Sequence, residues 1–176
     1  MVVAAVIAVL DQVTKHLAES RLVPGERVDV LGEVLGFRLF YNSGAAFSLG
    51  TSITPVLTAF ACLAVVAMLV ALARTWSTWW AVSVGVLLGG ALGNVTDRLL
   101  RAPGVGRGEV VDFLELPRWP IFNVADMAVV SGAVLIVLLS VRDVPFQPGL
   151  PAERSSHAPG TPDDHATRPT DPDRGA

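Results

Sequence analysis

Apolar and polar positions alternate along this chain in long blocks rather than short periods. Pro55 to Ala73 and Thr75 to Thr96 contain no charged residue, with only Arg74 between them. A helix needs about 20 apolar residues to cross a bilayer, so each block predicts a membrane span. Ile121 to Val141 is equally apolar apart from Asp126, and Met1 to about Leu17 is apolar as far as Leu10 before Asp11, Lys15 and His16 appear. Four spans are therefore expected, at about 1–17, 55–73, 75–96 and 121–141. The first resembles a signal peptide only in its hydrophobicity. It lacks a basic leader, and Asp11 and Lys15 fall where a small-residue cleavage site belongs. Its abrupt start at Met1 leaves a short missing upstream segment as an expectation.

The connections between blocks are unequal. Residues 18–54 carry β-branched and aromatic positions punctuated by Gly32, Gly36 and the turn signal Asn42-Ser43-Gly44, which predicts short strands. Residues 74–78 make only a tight link. Residues 98–120 form a second long connection, with Pro103, Gly104, Gly106 and Gly108 followed by "EVVDFLEL". With four spans, the two long connections share one face of the membrane. From Asp143 to Ala176 the chain holds seven of the twelve prolines with Ser, Thr, Asp and Gly and no periodicity, the composition of a disordered tail. The domain is thus 1–142 and the tail 143–176.

Composition agrees with the pattern. Hydrophobic residues make up 52% of the 176 and charged residues 16%, values of a membrane protein. The net charge of -3 lies in the tail, where six acids and three arginines follow Val141 and Arg142. The body is neutral and has no basic stripe, which excludes nucleic acid as a partner. One cysteine, Cys62, rules out a disulfide within the chain and reads as apolar filler. His16, His157 and His165 show no metal-ligand spacing, so neither a metal nor another cofactor is expected.

Ionisable groups inside the apolar blocks are where chemistry is to be sought. Asp11 and Lys15 stand four apart, the spacing of a helical ion pair. Lys15 is the only lysine, and a lysine held beside an acid keeps its charge, which argues against a serine-lysine peptidase. In "LLGGALGNVTDRLL" Gly85, Gly89 and Gly93 make a smooth strip for another helix. Asn94, Asp97 and Arg98 follow on one face, with Asp97 read mainly as one half of a neutralised pair with the adjacent Arg98. Asp112 and Asp126 differ, since neither has a basic residue three or four positions away. Asp126 sits about 6 Å into a helix starting near Phe122, at 1.5 Å per residue, with Asn123 on the same face. Two partly desolvated acids brought together cannot both ionise easily, which supplies an acid and a base at one pH.

"DQVTK" at 11–15, "NSGAAF" at 42–47, "GNVTDR" at 93–98, "VVDF" at 110–113 and "FNVAD" at 122–126 resemble, in order, the five motifs of the lipoprotein signal peptidase (signal peptidase II) family. The resemblance covers residues 11–141. It implies an all-α membrane protein of four transmembrane helices, with a small extracytoplasmic β-rich subdomain between helices 1 and 2. It further implies a monomeric intramembrane aspartic endopeptidase of the bacterial cytoplasmic membrane. Such an enzyme cleaves diacylglyceryl-modified prolipoproteins just before the lipidated cysteine. By position the catalytic pair is Asp112 and Asp126, and Asp11, Lys15, Asn42, Gly44, Asn94, Asp97, Arg98, Asn123 and Ala125 surround the site. The family's topology puts both termini in the cytoplasm, whereas Arg98, Arg101, Arg107 and Arg118 in one long connection would by the positive-inside rule put that connection there. The competing readings are a proton-coupled carrier subunit relaying through Asp126 and Asp97, and another type of intramembrane aspartyl protease. The nearly charge-free span interiors disfavour the first, and the absence of a "GxGD" stretch the second.

Overall fold

A computed structural model describes residues 1–44 and 53–147. Four helices, α1 (Val2–Arg21), α2 (Thr54–Arg74), α3 (Thr78–Leu100) and α4 (Val124–Val141), pack on one another, and a three-stranded sheet, β1 (Arg27–Leu31), β2 (Leu35–Asn42) and β3 (Val110–Glu115), joins them through α1 and α3. By length and composition α2, α3 and α4 can each cross a membrane. α1 is 20 residues long, but Asp11, Lys15 and Glu19 interrupt its apolar run.

α3 is the central helix. α1 lies along its small-residue strip, where the Asp11 carboxylate occupies the space a Cβ on Gly93 would need. α4 crosses the neighbouring face, where a Cβ on Gly90 would run into the Ala125 carbonyl oxygen. Small residues thus bring three backbones close enough for polar groups on different helices to meet. Apolar packing then fixes the arrangement, with Ala4, Val65, Leu88 and Val95 joining α1, α2 and α3.

The sheet is antiparallel in the order β1-β2-β3. Its third strand corrects the sequence expectation, because β3 comes from the connection between α3 and α4 and not from the segment between α1 and α2. "VVDFLE" has no strict alternation, since four successive residues from Val110 to Phe113 are buried. Val111 and Phe113 pack with Ala18 of α1 and Leu39 of β2, while Val110 and Asp112 face the other side. A strand covered on both faces shows no period-2 signal.

Two more expectations change. Phe122 pairs with Leu114 as an extension of the sheet, so α4 begins at Val124 and Asp126 lies in its first turn, shallower than a start near Phe122 implied. Residues 143–147, assigned to the tail, pack against the link between α2 and α3. Trp80 Nε1 donates to the Val144 carbonyl at 2.9 Å, and the Trp80 and Phe146 rings meet edge to face. The remainder of the tail, 148–176, and the "AAF" of the second motif lie outside the described residues.

Candidate active site

Thirteen residues separate Asp112 from Asp126, and a short return path brings them together. Phe113 and Leu114 both donate their N–H to the Phe122 carbonyl, at 3.0 and 2.8 Å, and Phe122 N–H returns to Leu114. The chain between folds back as a tight loop, leaving Asn123 beside the strand as it enters the helix. Asn123 is the N-cap of α4. Its Oδ1 accepts from Asp126 N at 2.9 Å, and the Asp126 Oδ2 accepts from Asn123 N at 3.1 Å. This reciprocal capping box satisfies two free helix donors and fixes the Asp126 rotamer. The acid stands in the first turn, where the helix dipole favours negative charge.

Asn123 also reaches the other acid. Its Nδ2 donates to Asp112 Oδ1 at 2.6 Å and to Asn94 Oδ1 at 3.2 Å. The second oxygen of Asp112 accepts from Asn42 Nδ2 at 2.9 Å, a diagonal contact across β2 and β3. Asn94 Nδ2 donates to Asp126 Oδ1 at 2.8 Å. Three asparagines from three parts of the chain therefore hold two carboxylates by amide hydrogen bonds. Asp112 is 2% exposed, and burial is the main reason its carboxyl is pushed up to about 6. The bonds from Asn42 and Asn123 oppose the rise, and the charge of Asp126 adds to it.

The other two buried acids are treated differently. Lys15 Nζ sits 2.8 Å from Asp11 Oδ2, 2.7 Å from Asp97 Oδ2 and 3.0 Å from Asn94 Oδ1, so all three ammonium donors are used. Lys15 is thereby committed to holding two acids and an asparagine side chain. Asp97 pairs further with Arg101 Nε at 2.7 Å, correcting the expectation that the adjacent Arg98 is its partner. Arg98 instead donates to the carbonyls of Asn42 and Gly108, both at 3.0 Å, and so carries the Asn42 turn. Gly44 supports the same turn, with φ +92° and its N–H donating to Asn42 Oδ1 at 2.8 Å.

These paired acids also position the backbone of the site. Asp11 Oδ1 accepts from Ala125 N at 2.9 Å, anchoring the first turn of α4, and Ala125 itself is fully buried. Asp97 Oδ2 accepts from Val111 N at 3.3 Å, anchoring β3 one residue before Asp112. Each unpaired acid thus sits next to a backbone amide held by a paired one. Sequence reasoning missed Gln12, which donates to Asp97 Oδ1 and the Gly93 carbonyl at 3.1 Å, and Arg101, which ties Asp97 to Glu19. Gln12 lies inside "DQVTK", and Arg101 stands four residues after Asp97, so helical spacing offered a signal for both.

Asp126 is half-buried and opens onto a groove of about 280 Å³ lined by Trp119, Phe122, Met127, Val130 and Ser131. The groove runs down the outer face of α4, so an apolar chain in it would pass directly beside the carboxylate.

The fold places the chain first among membrane enzymes. Two solved structures described as bacterial membrane enzymes, obtained by the in meso method at 2.3 and 1.9 Å resolution, match with TM-scores of 0.65 and 0.66. Each is 28% identical and covers 81% of this chain, against 87% and 92% of its own. The family model for signal peptidase (SPase) II matches residues 3–142. The chain belongs to the signal peptidase II family, a family of proteases. A lipoprotein signal peptidase of Mycobacterium avium is 52% identical over 144 residues, covering 82% of this chain and 79% of the relative. One from Mycobacterium leprae is 50% identical over 144 residues (82% and 72%), and one from Rhodococcus jostii 48% over 141 residues (80% and 71%).

Proposed function

We propose that this chain is an aspartic endopeptidase acting on diacylglyceryl-modified prolipoproteins, with Asp112 and Asp126 as its catalytic pair and cleavage just before the lipidated cysteine. One observation carries the assignment. Of four acids gathered at the sheet end of the bundle, Asp11 and Asp97 are neutralised by Lys15 and Arg101, whereas Asp112 and Asp126 accept only from amides. Carboxylates held without a cation cost stability, and acids so placed cluster at functional sites.

The pair holds one proton between its two carboxyls. The ionised member takes a proton from water as the water oxygen attacks the scissile carbonyl carbon. The other member gives its proton to the developing oxyanion; the member holding water's proton then passes it to the departing amine as the C–N bond breaks, and the hydroxyl proton returns to its donor as the new carboxyl forms. The pair is left with one proton on the member that began with it. Burial raises the Asp112 carboxyl to about 6, so Asp112 is the member favoured to carry the shared proton below that pH. Half-exposed Asp126 meets water at the mouth of the groove. The asparagine amides orient both carboxyls without adding charge, and Asn94 conveys the field of Lys15 to Asp126.

The proposed topology has four spans, α1 included. Val2, Val6, Val9, Leu10, Val13 and Leu17 are exposed along α1, while Asp11 and Lys15 are fully buried. An inward polar face and an outward apolar one suit a helix surrounded by lipid. Both termini are then cytoplasmic and the sheet and site lie at the outer face. Two of the four arginines that argue for the opposite orientation are engaged inside the protein, Arg98 on carbonyls and Arg101 on Asp97 and Glu19. Exposed Trp76 and Trp79 at one end and Trp119 at the other mark two membrane interfaces.

A gel-shift assay on a lipidated precursor and its unlipidated twin tests the reading. Wild type should convert only the lipidated form, and D112N and D126N should each lose conversion by about 10²-fold or more. Normal processing by either variant removes the assignment of the pair.

A further inference from the structure

The lipid-facing stripe of α1 ends at a cation and a cavity. One turn beyond Leu17 stands Arg21, exposed and in none of the ion pairs among the described residues. Between this end of α1 and the sheet lies an apolar cavity of about 270 Å³, lined by Thr14, Leu17, Ala18, Arg21 and Leu22 with Phe37 and Phe113. The two rings form its wall, edge to face with centroids 6.2 Å apart. Phe113 follows Asp112 on β3, so the two side chains leave opposite faces of the strand. The cavity is therefore separate from the acid pair and from the groove beside α4.

We propose that this cavity binds one acyl chain of an anionic glycerophospholipid whose phosphate rests on Arg21. Three observations converge on that occupant. The cavity continues the exposed apolar stripe of α1, so it opens to the hydrocarbon of the bilayer. Thr14 to Arg21 spans about 10 Å of helix at 1.5 Å per residue, which suits the upper part of a chain hanging from a headgroup. The cation stands at the interfacial end of the groove, where a guanidinium pairs with phosphate in fork geometry. The bound chain packs on Phe113 and backs the strand that carries Asp112. This inference rests on α1 lying in the bilayer and is independent of the proteolytic reading.

The test uses the full chain in nanodiscs of equimolar phosphatidylglycerol and phosphatidylcholine with identical acyl chains, followed by native mass spectrometry of retained lipid. Wild type should retain phosphatidylglycerol about five-fold over phosphatidylcholine, the factor that roughly 1 kcal/mol per basic residue corresponds to. Arg21→Gln should abolish the preference while retaining lipid. Leu17→Trp, at a half-exposed position outside the core, should fill the cavity and reduce retention of both lipids. Equal retention of the two lipids by wild type, or an unchanged preference in R21Q, overturns the proposal. Stoichiometric displacement of the retained lipid by a lipidated precursor also overturns it, since the cavity then belongs to the substrate.

Discussion

Replacing Asp112 by Asn should change the pH dependence of stability as well as activity, and the size of the change follows from its burial. The folded protein holds this carboxyl at about 6 against 3.8 for an ordinary aspartate. Because β3 lies outside the helices, the unfolded reference for Asp112 is an aspartate in water. Below about 3.8 both states are protonated and burial has no pH-dependent cost. Between 3.8 and about 6 the unfolded chain has lost its proton while the folded one keeps it, so stability falls as pH rises. Above about 6 the full penalty is present. About two pH units at 1.36 kcal/mol each give roughly 3 kcal/mol. The Asn variant has no such titration, although its amide must meet the donors of Asn42 or Asn123 and loses about 1 kcal/mol at every pH. The slope is therefore diagnostic and the intercept is not. Unfolding of wild type and D112N in one detergent, compared at pH 4, where about 0.5 kcal/mol of the penalty is already present, and at pH 8, should show the difference shifting by roughly 2.5 kcal/mol in favour of the variant. D126N should retain most of that slope, because burial outweighs the Asp126 charge as its cause. A pH-independent difference between wild type and D112N, or a shift of opposite sign, would refute the account of Asp112 as a buried, uncompensated carboxyl.

Further outcomes follow from the same geometry. Lys15→Met leaves Asp11 and Asp97 buried without their shared cation and should destabilise the protein by about 3–5 kcal/mol, read as early unfolding in a thermal scan in detergent; wild-type stability in the variant contradicts the cluster. Asn123→Ala removes the α4 cap, worth about 1 kcal/mol, and also the donor to Asp112, so kcat should fall much further than stability does. Gly93→Ala pushes a methyl group against the Asp11 carboxylate and should cost roughly 1–3 kcal/mol, measurable as a lower midpoint of denaturation. Truncation after Gln147 should leave cleavage and stability intact, whereas truncation after Arg142 removes the Phe146 contact with Trp80 and should lower the unfolding midpoint.

The sequence by itself determined the apolar blocks, and so three bilayer-length helices and an α1 whose charges had to find partners. Hydropathy is a local quantity, and a run of about 20 apolar residues admits few alternatives. Motif spacing also identified Asp112 and Asp126 as the acids lacking a neighbour of opposite charge. The tertiary structure decided what those acids touch. Asp97 pairs with Arg101 and Lys15 rather than Arg98 because side chains three or four apart on a helix face each other and adjacent ones do not. Asn123 proved to be a helix cap touching both carboxyls, a role requiring Phe122 to join the sheet before α4 begins. β3 was invisible as a strand because it is covered on both faces. Whether two carboxyls with thirteen residues between them could share a site depended on a return loop, on Gly90 and Gly93 letting three helices converge, and on two other acids pinning the backbone beside them. Those are distances between separate segments, which local sequence pattern does not encode.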